Sequence, residues 1–235
     1  VSPNWLTGPI LDYMVHQHIV RYQVSGTVGR VTPDLWLTLR TLVMGGDVAS
    51  TVSDSSLHES LNLLVDKEVL FITHDTSINT TAAHHGTHWV AVVVLRTQSI
   101  PYIVVMDPTR TRGAGHDKGL LPVVQLLLLQ LQAMEQVHPT PEEGEASKRA
   151  EIVRKIMDGR LLKDGLERTL ANVEATLVTS WAAQTNGAWW PKLSTQYEKY
   201  NCGPVVSEIF RILCERIAQD TSNPLQLLRE GDYVP

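Results

Sequence analysis

The sequence predicts an α+β domain, a central mixed sheet flanked by helices. Three observations carry that expectation. Short β-branched runs cluster in mid-chain: "EVLFIT" (Glu68–Thr73), "HWVAVVVL" (His88–Leu95) and "PYIVVM" (Pro101–Met106). Helical patterns stand on both sides of them. A strong amphipathic pattern runs from Gly203 to about Gln219. The strand runs are almost unbroken in apolar residues rather than alternating, which calls for a sheet covered on both faces.

The elements follow in order. "WLTGPILDYMVHQHIVRYQ" puts Ile10, Leu11, Met14, Val15 and Ile19 on a helical stripe. In "TPDLWLTLRTLVM", Thr32 is an N-cap, Pro33 fits the first helical position and Asp34 lies in the first turn. "SDSSLHESLNLLVDK" reads as a short Ser-capped helix. "RTQSI" suits a hairpin turn, so the strands on either side of it pair antiparallel. From Gly119 to Ala175 the pattern is helical again. "LLPVVQLLLLQLQAMEQV" is one helix starting near Pro122, "PTPEEGEAS" is a polar break, and "KRAEIVRKIMDG" and "RLLKDGLERTLANVE" are two amphipathic helices. "ATLVTSW" (Ala175–Trp181) is a further short strand, and "AAQTNGAWWPKLSTQYEKYN" reads as loop. The expected organisation is a single domain over residues 1–235, with a helical insertion at about 111–174.

Composition narrows the function. With 235 residues, 43% of them hydrophobic, the chain holds enough material for one sizeable core. A net charge of −5 weighs against a broad nucleic-acid surface. The longest apolar stretch, "LLPVVQLLLLQLQAM", is interrupted by three glutamines and does not read as a membrane span. Two cysteines, Cys202 and Cys214, make no disulfide framework and fit a reducing compartment, cytoplasm or nucleus. With no initial Met and no signal pattern, the chain reads as a domain of a longer protein, and a secreted effector would act in a host cell.

Chemistry centres on "STQYEKYNCGPVVSEIF". Cys202 stands just before the last amphipathic helix, and Asn201 and Gly203 permit a tight turn there. A cysteine attacks a carbonyl as thiolate, and a helix N-terminus or a neighbouring His favours that form. Cys214 falls on the apolar face with Val206, Ile209, Phe210, Leu213 and Ile217 and reads as core. Of nine histidines, His88 is set apart, at the start of a strong strand and followed by Trp89. Asp107 directly follows the next strand. In an antiparallel hairpin the start of one strand lies beside the end of the other, so His88 and Asp107 emerge at one edge of the sheet. There Asp107 can fix the imidazole tautomer. Acyl transfer also needs oxyanion donors. The N–H of Cys202 is one, and Gln196, six residues upstream, is favoured by loop length over Gln184 for the other.

"HHGTH" also places His84, His85 and His88 together, with His74 nearby. Two His four apart on a helix face could bind zinc, but Gly86 and its surroundings are loop-like and no Cys or acidic ligand lies nearby, so neither metal nor cofactor is expected.

The order His, then Asp, then Gln six residues before a Cys-Gly resembles that of the ubiquitin-like-modifier proteases. These include the SUMO proteases and, more distantly, the adenovirus protease. "HW" at His88–Trp89, Asp107 after a hydrophobic strand and "QYEKYNCG" at Gln196–Gly203 carry the resemblance, and "WLTGPILDYM" is similar to that family's opening Trp-Leu motif. The papain order, Cys before His, is excluded. The resemblance implies a papain-like or adenain-like cysteine protease fold with the helical insertion ahead of the catalytic Cys. It implies His88 as general base and then acid, Asp107 as its orienter, Cys202 as nucleophile and Gln196 as oxyanion donor. It further implies Trp89 roofing a narrow tunnel for a glycine-glycine tail, Trp5 on the substrate side, and ubiquitin or a ubiquitin-like protein such as SUMO as partner. Three departures stand out. Asn201 replaces the usual Asp before the Cys, Thr7 and Gly8 follow Trp-Leu where an acidic or amide residue is frequent, and the gap from Asp107 to Cys202 is long.

Two other activities compete. A bacterial effector group uses a similar His–acid–Cys arrangement to transfer acetyl from coenzyme A. Those enzymes generally have Glu as the acid, lack the aromatic after His and need a basic inositol-phosphate pocket. Only "TRTRG" and "SKRAEIVRK" are basic clusters here. A non-catalytic module that holds a modifier without cutting it is the other alternative.

Overall fold

The three apolar runs form the middle of one sheet. The computed structural model describes residues 7–44, 54–75, 88–96, 100–106, 117–135, 168–173, 175–178 and 202–219. Among these, β1 (Val28–Val31), β2 (Val69–Asp75), β3 (Trp89–Leu95), β4 (Tyr102–Met106) and β5 (Thr176–Val178) lie side by side in that order. β3 is antiparallel to β2 and β4, while β1–β2 and β4–β5 are parallel. Hence four strands run one way and β3 runs against them. The β3–β4 hairpin has the expected sense, with Ala91 opposite Met106 and Leu95 opposite Tyr102. The architecture is α+β, a mixed sheet with helices.

The described helices are α1 (Gly8–Arg21), α2 (Pro33–Val43), α3 (Asp54–Asn62), α4 (Asp117–Glu135) and α5 (Cys202–Gln219). Helix α1 buries Gly8, Leu11, Val15 and Ile19, spaced three and four apart. Ile10, expected on that stripe, is 49% exposed, because a stripe centred on Leu11 and Val15 turns its neighbour outward. The helix ends in a Schellman closure. The Val24 N–H donates to the Ile19 carbonyl and the Gln23 N–H to the Val20 carbonyl, both at 3.1 Å. Gln23 occupies the left-handed position, φ 56°, that usually falls to glycine.

Side chains alternate across a strand, and one face of the sheet presents Val69, Phe71, Trp89, Ala91, Val93, Leu95, Val104 and Met106 to the buried stripes of α1 and α5. Phe71 and Phe210 meet there with ring centroids 4.6 Å apart. Fully burying a side chain of this size contributes about 2–3 kcal/mol. The intervening residues, Leu70, Ile72, Val90, Val92, Val94 and Ile103, are equally buried, so both faces are covered as the apolar runs required.

A polar seam closes the α1–α5 contact. Arg211 of α5 donates to Tyr22 Oη at 3.0 Å and is ion-paired with Glu208 and Glu215 on its own helix. His18 Nε2 lies 3.0 Å from Ser207 Oγ. At the other side of α1, Arg30 of β1 is ion-paired with Asp12.

The chain divides into two compact units. One holds α1, the five strands and α5, and the other holds α2, α3 and α4. Parallel neighbours cannot be joined by a tight turn and need long crossovers. Helices α2 and α3 lie between β1 and β2, and α4 lies between β4 and β5. The second unit is therefore made of the sheet's two crossover segments, and α4 and residues 168–173 belong to the block read as an insertion. Within that unit Gln125 Nε2 donates to the Val173 carbonyl at 3.0 Å. Helix α4 starts at Asp117, ahead of Pro122, which sits inside it. Pro122 lies past the first-turn N–H groups that lack acceptors, so it gives up the one i−4 bond that its own N–H would have made. No described helix is long and apolar enough to cross a membrane.

Candidate active site

Because β3 runs against its neighbours, its first residues lie beside the carboxyl ends of β2 and β4. Asp75 ends β2 opposite Trp89, and Met106 ends β4 opposite Ala91. Carboxyl ends of parallel strands are where open α/β sheets commonly place ligands.

Cys202 is brought to this edge. It is the first residue of α5, not the residue before the helix, and it is buried at 3% exposure. The main-chain N–H of Trp89 donates to Cys202 Sγ at 3.4 Å, across 113 residues of sequence. His88, the residue before that N–H, is partly exposed. Two features distinguish the position. The first turn of an 18-residue helix leaves N–H groups without intrahelical acceptors, and the Trp89 N–H points at the sulfur directly.

Cys214 is the contrast. It sits on the same helix in the core, fully buried, and burial pushes its thiol up to about 12. Both thiols belong to the buried core cluster; Cys202 meets the Trp89 N–H, and Cys214 is fully buried on the same helix.

Trp89 does two things at once. Its backbone meets the sulfur, and its indole, 4% exposed, lies under the first turn of α1. A Cβ on Gly8 would stand 3.2 Å from Trp89 Cη2 and 3.9 Å from Cζ2. The helix start passes this close to the ring only because residue 8 has no side chain.

Asp107, Gln196 and Trp5 lie outside the described residues, as do His84, His85 and Gln184. Among the sequence-derived site residues the structure brings Trp89 against Cys202, with His88 next to Trp89 in the chain. It also shows what sequence reasoning passed over. The Trp89 amide as a partner of the thiol has no sequence signal, since every residue but proline carries an N–H. Gly8 was visible only as a departure from the opening motif. The strand expected to stop at Thr73 continues through His74 and Asp75, and all three are buried polar residues at the site end of β2.

Among the described residues no group of three or more His, Cys, Asp or Glu is placed to hold a metal ion. No protein-family model matches the chain. No curated protein matches it in sequence.

Proposed function

We propose that the chain is a cysteine peptidase of papain-like, adenain-like fold that cleaves after the diglycine tail of ubiquitin or a ubiquitin-like modifier. The observation that carries this reading is the hydrogen bond from the Trp89 N–H to Cys202 Sγ, which sets this thiol at the start of β3, where His88 is the preceding residue. His88 is the base and Cys202 the nucleophile. Asp107 follows Met106, whose strand partner Ala91 lies three residues past His88, and this register supports Asp107 as the group that orients the imidazole.

His88 takes the thiol proton as Sγ attacks the glycine carbonyl. The tetrahedral oxyanion takes hydrogen bonds from the Cys202 N–H and from Gln196. The C–N bond then breaks, His88 protonates the departing lysine amine, and a thioester remains on Cys202. Water, deprotonated by His88, releases the modifier and restores the thiol. A Cys202 residue that is 3% exposed suits an acyl chain without side chains, which supports glycine at the scissile end. Trp89 and Trp5 are assigned to the substrate side.

The test is labelling by a panel of modifiers that carry an electrophile in place of the last carboxylate. Labelling by ubiquitin, SUMO or a relative, lost in Cys202→Ala and kept in Cys214→Ala, is the expected result. No labelling by any of them, together with acetyl transfer from coenzyme A, overturns the reading.

A further inference from the structure

Three elements converge on Trp89: its N–H holds the Cys202 sulfur, His88 precedes it, and its indole lies against α1 at Gly8. We propose that Gly8 is a positioning residue of the active site, whose missing side chain fixes where Trp89, and with it the Cys202 thiol, sits. This rests on the peptidase reading above and deepens it by adding a residue from the first turn of α1.

A Cβ at position 8 would be 3.2 Å from Cη2, closer than carbon atoms ordinarily approach. Neither side yields easily. Gly8 is buried at the start of a helix that is seated on the sheet through Leu11, Val15 and Ile19. The indole is almost wholly enclosed, and its backbone is fixed by pairing with Asp75. A shift of a few tenths of an ångström therefore passes along Trp89 to its N–H and to the neighbouring His88. Gly8 needs no positive φ for this role, since it lies within regular helix, and it would otherwise be a poor residue there. The close approach to the ring is what that glycine permits.

The experiment measures hydrolysis of a modifier C-terminal fluorogenic amide by the full chain in four forms: wild type, Gly8→Ala, Trp89→Phe and the double variant. If wild type hydrolyses no such substrate, the peptidase reading fails, and Gly8 is not the cause. With an active wild type, Gly8→Ala is expected to lower kcat by about tenfold with little change in KM, because misplaced reacting groups cost rate more than binding. Phenylalanine lacks the ring atoms that the new Cβ would meet. In the Trp89→Phe background Gly8→Ala is therefore expected to be neutral or to raise activity, a coupling of about tenfold or more. If Gly8→Ala alone does not fold, the comparison of Trp89→Phe with the double variant decides. Equal proportional losses in both backgrounds, or a Gly8→Ala enzyme with wild-type kcat, overturn the proposal.

Discussion

The Trp89 N–H meets the Cys202 sulfur at 3.4 Å, and His88 is the residue just before that N–H. The residue ahead of strand β3 is thus the proposed base, and the strand's first N–H holds the proposed nucleophile. The separation of the two is governed by the packing of α5 on the sheet, where Phe71 and Phe210 are in contact.

His88→Ala is expected to cost about 10²–10⁴ in kcat/KM, the usual yield of general base catalysis. Asp107→Asn should cost less, since it orients the imidazole without taking the proton. Steady-state kinetics on a modifier amide, with both variants checked for folding by circular dichroism, measures this. Near-wild-type turnover in His88→Ala would remove His88 from the role of base.

Cys214→Ser should destabilise the protein by about 1–3 kcal/mol, because a hydroxyl replaces a thiol in a fully buried apolar setting. Activity per folded molecule should persist. Urea unfolding reads the first effect and probe labelling of the folded fraction the second.

The His18 contact gives a pH dependence. Burial, the largest cause, lowers the His18 pKa below 6.5; Arg211 and Arg21 act in the same direction, and Glu208 opposes them. The unfolded chain takes up the proton near 6.5 while the folded one still resists it. In that window the unfolded state binds more protons, so stability rises with pH and is lost on acidification. Urea midpoints measured from pH 7.5 to 5 should fall, and His18→Gln, which keeps a polar group near Ser207, should flatten that fall. An identical slope in the variant would rule out His18 as its source.

Gln23→Gly should stabilise the protein by about 0.5–1 kcal/mol. The left-handed conformation costs a non-glycine residue about 1–2 kcal/mol, and glycine's extra chain entropy returns part of that. A rise in melting temperature at unchanged activity is the expected reading.

Much of the fold was legible because β2, β3 and β4 are long runs of β-branched residues that no helix pattern fits. Strand β1 was not. It has four residues, two of them Gly29 and Arg30, and is held by parallel pairing to β2 and by Thr27, whose carbonyl accepts from the Glu68 and Val69 N–H groups. Such a strand exists because of its partner, and nothing local announces it. At the site, Cys202 was legible from the apolar period of the helix behind it, and His88 from its place before a strand. Gly8 was legible only as an oddity, because what it accommodates lies eighty-one positions away.

The crossovers have a consequence for how the protein comes into being. The sheet holds β5 beside β4 across the whole α4 connection, and α5 follows every described strand. On a ribosome adding about 5–20 residues each second, His88 emerges on the order of ten seconds before Cys202. Over that interval the growing chain has a base without a nucleophile, and the inner face of its sheet lacks the helix that will cover it. The last described helix to be made both completes the core and brings the thiol to its place, so the proposed chemistry can start only once the core is closed.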